Sequence, residues 1–72
     1  MVCTIQFTWD PDACVWIATS EDVPGFVLES DSFDSLLERT RLAVPELLEM
    51  NGSLTAPLTL SFRSDRQERI AL

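Results

Sequence analysis

Two pairs of carboxylates are the residues whose types and spacing suggest chemistry. Asp10 and Asp12 are separated by a single residue, and Glu21 is followed directly by Asp22. Paired carboxylates bind divalent cations or act as general acid and base. Both uses need further convergent groups, and the 72 residues contain no His. Turn chemistry explains the first pair and a solvated loop explains the second, so we expect no catalytic residue, no metal ion and no cofactor.

The chain carries a large excess of negative charge. Twelve Asp and Glu residues face five Arg and no Lys, which gives a formal net charge of −7, and no basic side chain precedes Arg39. Because phosphate contacts need clustered cations, we expect the chain not to bind DNA or RNA directly. An acidic surface of this kind favours a basic protein partner, and its simplest alternative role is to keep the protein soluble.

The length of 72 residues allows one small domain, which buries a small fraction of its surface. Hydrophobic residues make up 46% of the chain, enough to predict a packed core. We expect a partner chain or a second copy to complete that core, and a homo-oligomer, most simply a dimer, is favoured over a monomer. No segment has the length of a membrane span or the features of a signal peptide, which predicts a soluble, cytoplasmic protein.

Alternating residues predict a first strand from 3 to 9, followed by the turn sequence D-P-D-A and a second strand from 14 to 20. In this hairpin Trp9 would lie opposite Cys14, and Cys3 near Ser20. The two sulfur atoms would then be too far apart for a disulfide. Two Cys without His are also too few ligands for zinc, so both are predicted to be small buried thiols.

The second half of the chain predicts a short strand, a helix and a last strand. Pro24 and Gly25 suit a type II turn, and residues 26–29 form a short apolar strand. Ser32 is a predicted N-cap for a helix that ends at Asn51 and Gly52. Pro45 interrupts the helix, but the apolar stripe keeps its phase, which favours a kinked continuation over a break. Residues 58–63 alternate again and form the last predicted strand.

These elements predict an α+β fold of order β-β-β-α-β, with an antiparallel sheet and one helix on one face. The domain covers 1–63, and 64–72 form a C-terminal tail. Val15 and Ile17 would lie on the sheet face opposite the helix, in a patch for a dimer or another partner. The tail is either a frayed terminus or an arm that docks onto a second copy or covers a partner's site.

Three segments carry a resemblance to a known family. They are W-D-P-D-A-C-V-W-I-A-T-S-E-D-V-P-G (9–25), A-V-P-E-L-L-E-M-N (43–51) and L-S-F-R-S-D-R-Q-E-R-I-A-L (60–72). The chain resembles the short HicB-like antitoxins of bacterial type II toxin-antitoxin systems. The resemblance implies a partial RNase H-like domain and a partner that is a small basic HicA-like mRNA interferase. Longer members add a DNA-binding domain, for which this sequence has no counterpart.

The sequence therefore predicts a non-catalytic antitoxin that binds its toxin by protein-protein contact. The expected contacts are the carboxylates of Asp10, Asp12, Glu21 and Asp22, with Arg66 and Arg69 of the tail as a second contact. Two alternatives remain. One is a structural or regulatory homodimer without a toxin, and the other is a small metal-dependent hydrolase that uses the acidic loop.

Overall fold

The computed structural model describes all 72 residues and contains four strands and one helix. They are β1 (Val2–Asp10), β2 (Val15–Thr19), β3 (Val27–Ser30), α1 (Phe33–Met50) and β4 (Thr59–Asp65). This order confirms the predicted β-β-β-α-β arrangement. The helix is not long and apolar enough to cross a membrane.

The sheet is mixed, with the strand order β3-β2-β1-β4. β1 pairs antiparallel with β2, and β2 pairs antiparallel with β3, as predicted. β4 instead pairs parallel with β1, so the prediction of an antiparallel sheet is wrong for this pair. The reason is the helical crossover. α1 carries the chain from one edge of the sheet to the other, and β4 then runs in the same direction as β3 and β1.

The register of the first hairpin differs from the prediction by two residues. Trp9 lies opposite Trp16, not Cys14, and Asp10 lies opposite Val15. Cys14 belongs to the turn, where its φ of 54° is left-handed, and β2 begins one residue later. Because side chains alternate with a period of two, this shift leaves every residue on its predicted face.

The core lies between the sheet and α1. Its buried apolar residues come from alternate positions of β1 and β2, from the loop after β2, and from one stripe of α1: Cys3, Ile5, Phe7, Ala18, Val23, Phe26, Leu36, Val44 and Leu48. Burial of a large apolar side chain stabilises a fold by about 1.5–3 kcal/mol. The prediction of buried thiols is correct for Cys3 and wrong for Cys14, which is exposed at the turn.

The helix is capped at both ends. Ser32 has extended backbone angles, and its Oγ accepts a hydrogen bond from the Ser35 N–H at 3.2 Å, as expected of an N-cap. At the other end Gly52 has a φ of 68°, and the Ser53 N–H donates to the Leu48 carbonyl at 2.8 Å. This is a Schellman motif. The helix continues without a break through Pro45 to Met50. This confirms the prediction that Pro45 does not end the helix.

The helix contacts β2 and β3 more closely than β4. Leu60 and Phe62 of β4 lie beside Cys3 and Ile5 of β1, on the helix side of the sheet, yet Phe62 is 38% exposed. On the opposite face Val15 and Ile17 are half-buried, and Val27 is 66% exposed. The apolar surface on that face is thus interrupted by polar neighbours such as Thr8 and Glu29, which pair with Ile17.

Candidate interaction surface

The turn of the first hairpin is held by one of the predicted contact residues. Asp10 Oδ1 accepts hydrogen bonds from the backbone N–H groups of Asp12 at 3.0 Å and Ala13 at 3.3 Å. An Asp side chain that bonds the backbone two residues ahead is a common turn device. Asp10 is half-buried in this role, whereas the Asp12 side chain is exposed.

The acidic loop after β2 is tied to the other end of β1. Asp22 Oδ2 accepts a hydrogen bond from the Thr4 N–H at 2.7 Å, and the Ser20 hydroxyl donates to the Thr4 carbonyl at 2.6 Å. Val23 and Phe26 bury their side chains below the loop. The Phe26 N–H donates to the Val23 carbonyl, and Gly25 between them has a φ of 80°. This matches the predicted type II turn and leaves Glu21 exposed.

The four predicted acidic contacts therefore form two separate clusters. We call Asp10 and Asp12 the tip cluster, and Glu21 and Asp22 the loop cluster. Thr4, which holds Asp22, lies six residues from Asp10 along β1, and an extended chain of that length spans about 20 Å. The two clusters lie at opposite ends of the hairpin.

A fifth carboxylate, Asp65, lies next to the tip cluster. It pairs with Thr8 in the sheet and lines a groove of about 310 Å³ with Thr8, Trp9, Pro11 and Gln67. Sequence reasoning missed it because Asp65 reaches this end of the sheet only when β4 runs parallel to β1. The alternation within β4 gives no signal of strand direction.

An aromatic cluster lies on the helix side of the hairpin, beyond the buried core. The Trp9 and Trp16 rings meet edge to face with centroids 5.5 Å apart, and Trp16 packs in the same way on Phe33 at 5.0 Å. The Arg66 guanidinium lies 4.1 Å from the Trp9 ring centroid, a cation–π contact, and pairs with Glu68 at 2.8 Å. The two Trp residues are direct cross-strand neighbours in the hairpin.

The tail carries the remaining predicted contacts. Arg69 lines an open groove of about 820 Å³ together with Trp9, Pro11, Gln67, Glu68 and Ile70. Arg66 and Arg69 thus lie near the tip cluster, while the loop cluster is distant from them. The structure therefore places the tail beside the tip cluster, a proximity that the sequence analysis did not predict.

The Cys3 thiol lies in the core, close to the loop cluster. Burial raises the pKa of its thiol, the negative charge of Asp22 raises it further, and the N-terminal ammonium acts in the opposite direction. The thiol is therefore held in its neutral, unreactive form. Nowhere in the molecule do three His, Cys, Asp or Glu side chains lie close enough to hold a metal ion.

This small α+β domain has recognisable relatives. Residues 2–72 match a family described as a domain of unknown function, DUF1902, and the chain belongs to that family. Its structure is similar to the crystal structure of the hypothetical protein TTHA1013 from the extremely thermophilic bacterium Thermus thermophilus. The two are 38% identical, with a TM-score of 0.83, and the alignment covers 97% of this chain and 100% of that chain. No curated protein matches the sequence.

Proposed function

We propose that this protein is a HicB-like antitoxin that binds and neutralises a small basic HicA-like mRNA interferase through protein-protein contact. The observation that carries the proposal is the surplus of carboxylates without ion-pair partners. Only Glu38 and Glu68 of the twelve acidic residues pair with an Arg, at 3.4 and 2.8 Å. The other acidic residues have no ion-pair partner within the chain. A basic partner supplies the missing charge, and the family resemblance names the kind of partner.

The hairpin of β1 and β2 is the proposed binding surface. Its two acidic clusters lie about 20 Å apart, within reach of a single globular partner of similar size, which is about 25 Å across. Val15 and Ile17 of β2 lie on the sheet face opposite the helix, with Val27 on the neighbouring strand β3, and these side chains would supply apolar contact area. In such an interface the charges speed association and set specificity, while the desolvated apolar centre supplies most of the affinity.

Arg66 and Arg69 remain a predicted second contact. Arg66 already has two partners within the chain, the Trp9 ring and Glu68. Any contribution to toxin binding would therefore require it to exchange one of these partners. Arg69 has no ion-pair partner within the chain and is the freer of the two.

The first experiment is co-expression of this chain with the protein encoded beside it, followed by affinity purification and mass determination. Co-elution with a small basic protein that is toxic when expressed alone is the expected result. Elution of the chain without that neighbour, together with a harmless neighbour, would refute the antitoxin proposal and favour the structural homodimer.

The binding surface is tested by neutralising both clusters in the variant D10N/D12N/E21Q/D22N. The amide oxygens can still accept the turn and loop hydrogen bonds, so the fold is expected to persist. Stopped-flow association with the toxin should slow by about tenfold at low salt and lose much of its salt dependence.

The matched control is D34N/E38Q/E46Q/E49Q, which removes the same number of charges from α1. Because α1 lies on the other side of the sheet, this variant should slow association much less. Equal slowing by the two variants would mean that only net charge matters and would remove the hairpin from the interface.

A further inference from the structure

β4 and the tail form an extended arm with an unpaired edge. β1 occupies one side of β4, and no strand lies on the other. The long axis of the molecule measures 50 Å against 18 and 17 Å for the others. An extended chain from Thr59 to Leu72 spans about 46 Å, which accounts for that axis. The radius of gyration, 13.6 Å, also exceeds the value of about 11 Å expected for a compact chain of this length.

The arm leaves apolar side chains in solvent. Phe62 is 38% exposed and Ile70 is 69% exposed, and Leu72 is fully exposed. Long free strand edges with exposed apolar residues are templates for pairing with another chain. Phe62 packs one side of its ring on Phe7, with ring centroids 5.7 Å apart, and Ile70 borders the groove beside Trp9. The rest of both side chains, and all of Leu72, is open to solvent.

The charges of the arm are also incompletely paired. Arg66 pairs with Glu68, two residues away, which places both side chains on the same side of an extended chain. Asp65 and Arg69 make no ion pair within the protomer. They lie four residues apart, about 13 Å in an extended chain, so they cannot pair with each other.

The charges of the arm are arranged symmetrically, with opposite sign, on the two sides of Gln67. One residue before Gln67 is Arg66 and one residue after it is Glu68; two residues before it is Asp65 and two residues after it is Arg69. Further out, Phe62 corresponds to Leu72. A segment that matches its own reverse is suited to a two-fold interface, in which the same residues meet from both sides.

We propose that two copies of this protein pair through residues 62–72 as antiparallel strands, about a two-fold axis that passes through Gln67. Each Asp65 then faces Arg69 of the second copy, and each Arg66 faces Glu68 of the second copy. Phe62 is covered by Leu72 of the second copy. This interface goes beyond the toxin-binding function and does not need the acidic clusters of the hairpin. It engages Arg66 and Arg69, so in the dimer these two side chains pair with the second copy and not with the toxin.

The charges of the arm favour the pairing with its axis at Gln67 over the pairing shifted to the next residue. If the two-fold axis passed through Arg66 instead, every side chain would stay on the same face of the sheet. Arg66 would then face Arg66 of the second copy, and Arg63 would face Arg69 of the second copy. Like charges directly opposite each other destabilise a strand pair, whereas opposite charges stabilise it. The axis through Gln67 instead places opposite charges together at every charged position from Asp65 to Arg69.

The first test is a charge swap measured by sedimentation equilibrium. The wild-type protein should sediment as a dimer, with twice the chain mass of 8.1 kDa. D65R and R69D each place like charges opposite one another and should raise the dimer dissociation constant by about tenfold. The double variant D65R/R69D restores opposite charges and should restore the dimer.

The swap has two internal controls. The double variant has the wild-type net charge, and E46R on α1 changes the charge by the same amount as D65R but lies away from the arm. E46R should leave the dimer intact, and circular dichroism checks the fold of each variant. A wild-type monomer, or a dimer that D65R and R69D do not weaken, would overturn the proposal.

The second test locates the two-fold axis by disulfide cross-linking. In a C14S background, which removes the exposed thiol, Q67C places two sulfur atoms across the axis. Directly opposed residues have Cα atoms about 4.5–5.5 Å apart, which fits a disulfide. Rapid formation of a covalent dimer on mild oxidation is expected.

The matched control for this test is S64C in the same background. The two copies of residue 64 would be offset by about six residues along the strands, about 20 Å, and should not cross-link. Cross-linking of S64C as fast as Q67C, or no cross-linking of Q67C, would overturn the proposed register.

Discussion

The Cys3 thiol makes the free energy of unfolding depend on pH in the alkaline range. Burial, and secondarily Asp22, raises the pKa of this thiol above its usual range, while the N-terminal ammonium partly opposes the change. In the unfolded chain the thiol titrates near a pKa of about 8.5. As the pH rises through that value the unfolded state loses its proton first, so the free energy of unfolding decreases.

We expect urea titrations of the wild-type protein to show lower stability at about pH 9.5 than at about pH 7. The C3A variant should be less stable at both pH values because it leaves a cavity, but the difference between them should be smaller. The same pH dependence in C3A and wild type would assign the effect to other groups.

Asp22 has a role in the fold that must be separated from any role in binding. Its carboxylate is the acceptor for the Thr4 N–H. D22A removes the acceptor and should lower the free energy of unfolding by about 1 kcal/mol, whereas D22N keeps an oxygen acceptor and should lower it less. E21A is the matched control, because Glu21 is exposed and its side chain does not hold the loop. Equal losses in D22A and E21A would contradict this role.

At the scale of elements, the N-cap of α1 gives a direct test of a prediction made from sequence. Ser32 Oγ accepts from the Ser35 N–H, and S32A should lower the free energy of unfolding by about 1 kcal/mol. S32D should retain stability, since Asp also caps helices and its charge favours the helix N-terminus. S35A, in the same turn but exposed, is the control. A loss in S35A equal to that in S32A would remove the cap from the explanation.

The sequence predicted the identity of every element because the signals are local. Alternation marks β1 and β4, and a cap and a stop mark the ends of α1. The sequence did not predict the register of the first hairpin, because Cys14 adopts a left-handed conformation at a residue type that gives no warning of it. It also did not predict the direction of β4, which depends on where the crossover returns the chain.

The sequence singles out the four acidic residues of the candidate surface, and their role as contacts stays a prediction, whereas their arrangement in space could not be predicted. Asp10, Asp12, Glu21 and Asp22 are conspicuous in the sequence, and turn chemistry accounts for the local hydrogen bonds to Asp10. The hydrogen bond from the Thr4 N–H to Asp22 joins residues 18 apart, and no local pattern indicates it. The contact between Arg66 and Trp9 joins opposite ends of the chain and follows from the parallel pairing of β1 and β4. Such long-range contacts are set by topology, not by local pattern.

At the scale of the whole molecule, the net charge of −7 on a chain with two ion pairs implies repulsion in the folded state. Salt screens exposed charges over a Debye length that falls from about 30 Å at 0.01 M to about 10 Å at 0.1 M. We therefore expect the thermal midpoint to rise as sodium chloride is added through this range at constant protein concentration. The D10N/D12N/E21Q/D22N variant has a net charge of −3, because four of the negative charges behind the −7 are removed, and its midpoint should rise less. An equal rise in both proteins would show that salt acts on apolar burial and not on charge repulsion.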